Sequence, residues 1–426
     1  MLGILLVASS LLFLASLSAS PPVDLGINLI HIDSRSNFST SELFHRASQR
    51  TRYRTKTREL KLTNSSPNFR SSLHSMDGEY LLELAIGTPS IPFMAIVDTG
   101  SDLIWTQCEP CISCFAQPTP VYDPSGSSTF SPLPCSSPLC ESLAYYNCTP
   151  ECRYYYNYSD SASTQGILAT ETLIFGAYSV HDVAFGCGHA NLGTSFNSTG
   201  TVGLGRGHGS LVSQLGIEKF SYCLTSFLES NITSPLLFGS MADLNTSSGA
   251  TQSTLLTQNP FDPSFYYLDL KGISIGETLL PIRAETFELK KDGSGGVIID
   301  TGTALTRLEQ AGYDIVAREI KSIVNLPLVN SSELCFSLSS RLVPNMPDMT
   351  LHFEGANMTL PMDNYMIVDS NKGLFCLAMI GVTGGSILGN YQQKNIHILY
   401  NLAGVCFPLY LPNAVRYEKF CNCSSG

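Results

Sequence analysis

A repeated motif constrains this chain more than any other feature: an apolar, strand-like run that ends in Asp-Thr-Gly. The first run is 93–97 and the second, about two hundred residues later, is 296–299. An isolated Asp-x-Gly after a strand is usually an ordinary turn, but two copies behind similar strands indicate an internal duplication. We therefore predict two β lobes that each supply one acid. The two motifs are Asp98-Thr99-Gly100-Ser101 and Asp300-Thr301-Gly302-Thr303.

A pair of close carboxyl groups has a specific chemistry. Ionising both groups is unfavourable because the two negative charges repel each other, so the pair shares one proton. The ionised member can take a proton from a water molecule while the protonated member donates to a carbonyl oxygen, which hydrolyses an amide without metal or cofactor. The hydroxyls of Ser101 and Thr303 follow at the right spacing to donate to these carboxylates. We predict Asp98 and Asp300 as the catalytic pair.

Composition favours a large β-rich protein. Only 14% of the 426 residues are charged and 43% are hydrophobic, and this length suits two compact lobes. An apolar run with small residues behind it predicts a secretory signal over residues 1–20. No later segment approaches 18 apolar residues and the polar ending lacks a lipid-anchor tail, so no membrane anchor is expected.

The cysteines and glycosylation sequons favour the secretory pathway. Eight of the 14 cysteines lie between Cys108 and Cys187, which is typical of disulfides in exported proteins. The spacing Cys108-x-x-Cys111-x-x-Cys114 could instead hold a metal, but disulfides fit an exported chain better. Ten Asn-x-Ser/Thr sequons predict a glycoprotein. The sequon asparagines are Asn37, Asn64, Asn147, Asn157, Asn197, Asn231, Asn245, Asn330, Asn357 and Asn422.

Charge is distributed unevenly along the chain. Residues 21–76 hold nine Lys or Arg and four Asp or Glu, whereas the rest holds 15 basic and 31 acidic residues. The basic run 50–58 is compatible with a solvated, disordered arm or with nucleic-acid binding. Behind a signal peptide and ahead of an acidic body, an inhibitory prosegment held by attraction is favoured, and acidification would weaken that attraction. We therefore predict no nucleic-acid partner.

From Glu79 to Cys423 the chain resembles the pepsin-like aspartic peptidases, and among them the nepenthesin-type enzymes of plants. The resemblance implies a bilobal, mainly all-β fold with a cleft, a first lobe at 77–245 and a second lobe at 246–426. It also implies that Thr99 and Thr301 lock the two Asp loops together. The matching segments are Asp98–Trp105, Phe185–Gly188, Gly203–Gly207, Phe220–Leu224 and Ile387–Gln392.

The family closes its cleft with a hairpin tyrosine, and the resemblance assigns this role to Tyr158, beside Trp105. From the residues alone, the stretch around Tyr158 is an aromatic hairpin that packs on a core. Ser159, Ser161 and Ala162 stand at the tip where the subfamily has Gly or Ser, which predicts a stiffer or reshaped tip. A glycan on Asn157 would crowd the cleft, so this sequon is expected to be unoccupied.

The resemblance also organises the cysteines. It implies a disulfide-stapled insertion over 108–152 and a pair between Cys335 and Cys376. Cys406 and one of Cys421 and Cys423 stay outside the family pattern, either paired with each other or free. The cysteines of the pattern are Cys108, Cys111, Cys114, Cys135, Cys140, Cys148, Cys152, Cys187, Cys223, Cys335, Cys376 and one C-terminal cysteine.

The sequence therefore predicts a secreted, monomeric aspartic endopeptidase, made as a zymogen and active on extended peptides at acidic pH. The alternative is a catalytically silent homologue that binds or inhibits other enzymes, like the plant xylanase-inhibitor proteins of the same fold. Both triplets and the flap tyrosine favour the peptidase. A structural cell-wall glycoprotein would explain the sequons and cysteines but not the duplicated triplet. The chain has no Gly-x-Ser-x-Gly or His-Glu-x-x-His motif, and Gly200–Gly207 fits neither a P-loop nor a dinucleotide fingerprint.

Overall fold

The computed structural model describes residues 24–33, 38–49, 51, 79–158, 162–193, 198–226, 233–244, 251–329, 333–338, 343–402 and 414–419. These residues are mostly β, which confirms the predicted fold class. The predicted signal peptide, the basic side chains of the run 50–58, the serines at the predicted flap tip and the last three cysteines lie outside them. The strands are β1 Leu25–His31, β2 Tyr80–Ile86, β3 Ile91–Asp98, β4 Trp105–Gln107, β5 Ser131–Pro132, β6 Tyr146–Cys148, β7 Cys152–Asn157, β8 Ser163–Phe175, β9 Tyr178–Leu192, β10 Gly200–Gly203, β11 Lys219–Cys223, β12 Ser234–Phe238, β13 Gln252–Thr257, β14 Tyr267–Leu268, β15 Leu270–Ile275, β16 Thr278–Leu279, β17 Val297–Ile299, β18 Thr306–Glu309, β19 Cys335–Ser337, β20 Met349–Phe353, β21 Ala356–Leu360, β22 Met366–Asp369, β23 Leu374–Leu377, β24 Met379–Val382, β25 Ser386–Leu388, β26 Ile396–Asn401 and β27 Ala414–Lys419.

Helices are short and few in the described part of the chain. The longest, α4, buries Val316, Ala317 and Ile320 on one side and packs on β24 and β18. This spacing places the apolar side chains on one face, as expected for a helix that covers a sheet. The α-helices are α1 over 40–49, α2 Pro138–Glu141, α3 Leu211–Gln214, α4 Gln310–Ile323 and α5 Asn390–Gln393, and the 3₁₀ helices are Pro124–Gly126, Gly239–Ala242, Ala284–Thr286 and Met362–Asn364.

The two predicted lobes are joined by shared strands. In the first lobe β2 pairs with β3 and β8, and in the second β17 pairs with β14 and β25. Strand β11 pairs antiparallel with β26 from the far end of the chain, and β13 pairs with β27. Two smaller sheets, β16-β15-β20-β21 and β19-β23-β22, complete the second lobe. The lobes therefore meet through a continuous hydrogen-bonded sheet.

A long hairpin lies beside the strand that carries the predicted flap tyrosine. Strands β8 and β9 pair along nearly their whole length and turn at Gly176, whose φ of 59° favours glycine. Strand β7 pairs with β8 from Arg153↔Ile167 to Asn157↔Ser163. The hairpin thus fixes the strand that leads directly into Tyr158.

The beginning of the predicted prosegment is part of the folded sheet. Strand β1 lies between β12 and β2, with Leu29 opposite both Ser234 and Leu82. Helix α1 packs Leu43, Phe44 and Ala47 in one apolar cluster with residues of the second lobe, among them Ala304. The described contacts to the body are therefore mainly strand pairing and apolar packing. The attraction predicted for the basic run involves undescribed residues and stays a prediction.

Candidate active site

Each Asp-Thr-Gly triplet lies at the end of a buried strand. Asp98 is the last residue of β3, and Asp300 follows β17 directly. A second strand crosses in parallel beside each: β10 pairs Gly203 with Asp98, and β25 pairs Leu388 with Ile299. We call residues 98–102 the first triplet loop and residues 300–305 the second triplet loop. Both loops begin where a buried strand ends, so their first side chains are held by the core.

The two carboxylates are held by equivalent hydrogen bonds. In the first loop the Gly100 amide donates to Asp98 Oδ1 at 2.9 Å, and the Ser101 hydroxyl donates to Oδ2 at 2.7 Å. In the second loop the Gly302 amide donates to Asp300 Oδ1 at 2.8 Å, and the Thr303 hydroxyl donates to Oδ2 at 2.6 Å. Both oxygens of each carboxylate thus receive a bond from their own loop. Both carboxyl groups are buried.

The threonines of the two triplets bond to each other across the loops. The Thr99 amide donates to Thr301 Oγ1 at 3.1 Å, and the Thr301 amide donates to Thr99 Oγ1 at 3.0 Å. The Thr301 hydroxyl donates in turn to the Val97 carbonyl at 2.9 Å. This reciprocal arrangement has the approximate twofold symmetry that the duplicated sequence implies.

The two loops also face each other at the carboxyl groups. A Cβ placed on Gly100 would lie 2.7 Å from Asp300 Oδ1, so only glycine leaves room for the opposite carboxylate. The structure therefore brings together all eight triplet-loop residues named from the sequence.

Tyr158 and Trp105 are in direct contact. The Trp105 indole Nε1 donates to the Tyr158 hydroxyl at 2.7 Å. The Tyr156 ring centroid lies 5.1 Å from that of Tyr158. Burial raises the pKa of the Tyr158 hydroxyl well above its ordinary value, and the negative charges that Tyr156 and Asp98 can carry raise it further. Tyr158 is therefore a neutral hydroxyl across the whole acidic range. The backbone amide of Tyr158 donates to the Ala162 carbonyl at 2.8 Å.

Disulfides cross-link the insertion between the first triplet loop and the predicted flap. Cys108, Cys111 and Cys114, whose spacing could have held a metal, instead take part in two disulfides. Cys223 is also disulfide-bonded. The described pairs are Cys108–Cys187, Cys111–Cys114, Cys135–Cys148, Cys140–Cys152 and Cys335–Cys376.

Three further residues support the loops, and the sequence analysis did not single them out. The side-chain amide of Asn390 donates to the Thr301 carbonyl at 2.9 Å, and that of Gln393 donates to the Asp300 carbonyl at 3.3 Å. Both belong to α5, directly after the Ile387–Gly389 segment. Asp102 accepts from the Gly207 amide at 2.7 Å. An acid two residues beyond the first triplet was the available signal for Asp102, whereas nothing local distinguishes Gln393.

The described residues lack two kinds of feature. No helix there is long and apolar enough to cross a membrane. No group of three or more His, Cys, Asp or Glu side chains there could hold a metal ion.

Comparison with known proteins identifies the family. Residues 80–240 match the family described as "Xylanase inhibitor N-terminal" and residues 265–407 match "Xylanase inhibitor C-terminal". Aspartic proteinase nepenthesin-1 of Nepenthes gracilis is 46% identical over 88% of this chain and 87% of its own length. Nepenthesin-2 of the same plant is 43% identical over 90% and 88%.

A solved structure, that of edgp, shares the fold. Its TM-score is 0.66 at 18% identity, and the match covers 94% of this chain and 95% of that one. At that identity the likeness shows the fold alone, while the nepenthesins show the relationship. The chain therefore belongs to the pepsin-like aspartic peptidase family, together with the nepenthesins.

Proposed function

We propose that this chain is a secreted aspartic endopeptidase, made as a zymogen, that hydrolyses peptide bonds at acidic pH with Asp98 and Asp300. The observation that carries the proposal is the reciprocal bonding of Thr99 and Thr301, which sets two fully hydrogen-bonded carboxylates against each other. Such an arrangement has no evident structural purpose, since burying two acids side by side costs stability.

The geometry supports a direct attack by water. Ser101 and Thr303 donate to one oxygen of each carboxylate, and the loop amides donate to the other, so both carboxyl planes are fixed. A water between the planes loses a proton to the ionised carboxylate while the protonated one donates to the substrate carbonyl. No cofactor or metal is needed, and the reaction requires the single shared proton that acidic pH maintains.

The proposed substrate is an extended peptide, bound largely through its backbone beneath the Tyr158 hairpin, with apolar pockets setting preference. Tyr158 suits the flap role because its hydroxyl is anchored by Trp105 and stays neutral. We further propose that the active form is a monomer with no nucleic-acid partner and no membrane anchor.

The proposed prosegment reaches the second triplet loop. The Leu305 amide donates to the Thr51 hydroxyl at 3.0 Å, and α1 packs in the same apolar cluster as Ala304 and Leu305. Ser48 also donates to Glu333 of the second lobe. These contacts bring the segment to within two residues of Thr303, which supports its role as an intramolecular inhibitor.

The decisive experiment uses the full chain, exported from a eukaryotic host and then acidified. We expect self-processing, cleavage of a denatured protein and inhibition by a statine-type compound, all abolished by D98N and D300N. D314N, at an exposed position of α4, is the matched control and keeps wild-type activity. Retention in the cell would refute secretion, whereas a folded wild type as inert as D98N would refute the peptidase.

The family descriptions favour one second candidate, an inhibitor of xylanases. Binding of a xylanase to the folded chain, unaffected by D98N and accompanied by no proteolysis, would support this alternative. The complete dyad makes it the weaker candidate, because an inhibitor has no use for the second acid.

A further inference from the structure

We propose that Asp102 is a positioning residue, whose carboxylate joins the first triplet loop to the segment that holds the second. This inference rests on the proposed peptidase function. It concerns a side chain that takes no part in the chemistry described above, one residue beyond Ser101.

The Asp102 carboxylate bonds to partners on both sides of the lobe junction. Oδ1 accepts from the Gly207 amide at 2.7 Å, on the turn that follows β10. Oδ2 accepts from the Ser264 hydroxyl, on the segment that leads into β14 of the second lobe. A second contact joins the same two segments, since the Arg206 amide donates to the Ser264 carbonyl at 3.0 Å. Asp102 therefore closes a small ring of bonds between the lobes.

The ring continues to Asp300. Tyr266 is fully buried two residues beyond Ser264, and its hydroxyl donates to the Leu204 carbonyl at 2.7 Å. The carbonyl of Tyr266 accepts from the Ile299 amide at 3.1 Å, directly before Asp300. On the other side, the Leu204 amide donates to the Asp98 carbonyl at 2.8 Å. Hydrogen bonds therefore join Asp98 to Asp300 through Leu204 and Tyr266, and the contact between Asp102 and Ser264 fixes the same two segments beside that path.

The glycines of the Gly203–Gly207 segment make room for this carboxylate. A Cβ on Gly205 would lie 2.4 Å from Asp102 Oδ1, and one on Gly207 would lie 2.2 Å from Oδ2. A Cβ on Gly203 would lie 2.4 Å from the carbonyl carbon of Asp102. Three alternate glycines therefore accommodate one acid, which explains a glycine-rich motif that fits no phosphate-binding pattern.

Other ionisable groups surround Asp102. Asp98 shares its loop, Tyr156 faces it from β7, and the Asp102 amide donates to the Tyr156 hydroxyl at 3.5 Å. His208 directly follows Gly207. Burial raises the pKa of the Asp102 carboxyl, although the hydrogen bonds from Ser264 and Gly207 and the charge of His208 each lower it. Tyr266 interacts electrostatically with both Asp102 and Arg206, and Asp262 interacts with Tyr156.

Protonation leaves the bridge intact. A neutral carboxyl still accepts from Gly207 at one oxygen and can donate to Ser264 from the other. Asparagine offers the same acceptor and donor, so D102N should preserve the bridge, whereas D102A removes it.

The test compares D102N, D102A, S264A and D102A/S264A with wild type and with the exposed control D314A, using the acid-processed full chain. We expect D102A to lower kcat about 100-fold with little change in KM, the loss produced by displacing a catalytic group by about 1 Å. D102N should stay within about threefold of wild type at acidic pH, since it keeps both bonds. S264A should lose about tenfold, and the double variant should lose little beyond D102A because both residues act through one contact.

Each outcome decides a separate question. Equal kcat for folded D102A and D314A would overturn the positioning role while leaving the peptidase intact. D102N as slow as D102A would also overturn it, because the bridge would then not be the cause. Should D102A fail to fold, S264A at wild-type kcat gives the same refutation. A wild type without activity would overturn the proposed peptidase, and this role with it.

Discussion

Replacing Thr301 by Val tests whether hydrogen bonds between the triplet loops hold the site together. The Thr301 hydroxyl accepts from the Thr99 amide at 3.1 Å and donates to the Val97 carbonyl at 2.9 Å. Thr301 is buried, with only 1% of its surface exposed, so water cannot replace either bond. Valine has nearly the same shape, so the substitution removes the hydroxyl and leaves the packing in place.

The expected cost follows from the two groups left without a partner. Each buried unsatisfied amide or carbonyl costs about 1–3 kcal/mol, which gives about 2–6 kcal/mol for the pair. An unfolding entropy of about 2.1 cal/mol/K per residue means that, in a chain of 426 residues, each kcal/mol lowers Tm by about 1 °C, so T301V should unfold about 2–7 °C below wild type. The carboxyl groups also lose their relative position, and we expect kcat/KM to fall about 100-fold.

Thermal unfolding at neutral pH and peptide cleavage at acidic pH measure the two effects separately. T301S is the matched control, because serine keeps the hydroxyl that makes both bonds, and it should stay close to wild type in each assay. The reasoning is refuted if T301V and T301S have the same Tm and the same kcat/KM.

Three further predictions concern other parts of the site. Burial raises the pKa of the Asp102 carboxyl in the folded state above that in the unfolded state. The free energy of unfolding therefore decreases as pH rises from the unfolded-state pKa to the folded-state pKa. The Tm of D102N relative to wild type should therefore increase from about pH 4 towards neutrality, and a constant difference would contradict this. Y158F removes the acceptor of the buried Trp105 indole, so it should lower kcat/KM about tenfold and cost about 1–3 kcal/mol of stability, measured beside a W105F variant that breaks the same bond. Replacing Cys335 and Cys376 by Ala opens a link across 41 residues and should cost about 4 kcal/mol in denaturant unfolding, while a loss below about 1 kcal/mol would count against the structural role.

Local patterns in the sequence predicted the parts of the site that local interactions build. Apolar runs before Asp98 and Asp300 became β3 and β17, because alternating burial and a turn residue decide where a strand ends. The pairing of Thr99 with Thr301 followed from the resemblance, not from the residues themselves. Gln393 could not be predicted, because its bond to the Asp300 carbonyl joins residues 93 positions apart.

The strand pairing that connects the lobes also could not be predicted from the sequence. Strand β11 pairs with β26, a register that depends on how two distant halves of the chain pack. The pattern around Phe220 and Tyr222 is that of an ordinary buried strand and does not indicate its partner. In the structure the ring of Tyr400 on β26 stacks on that of Phe220, with 4.5 Å between the ring centroids. Such pairs are specified by cross-strand packing, which a single sequence does not show.

The proposed prosegment illustrates why net charge alone does not predict how a segment is held against the rest of a protein. The excess of basic residues over 21–76 predicted attraction to an acidic body, yet the charge of Arg46 is matched within the segment by Asp33, 3.3 Å away. What joins α1 to the second lobe is the packing of Leu43 and Phe44, and apolar contacts have no pH dependence of their own. Summed charge governs long-range attraction, whereas docking depends on which side chains are buried. Any release by acid must therefore act on charged contacts beyond the apolar ones that hold α1.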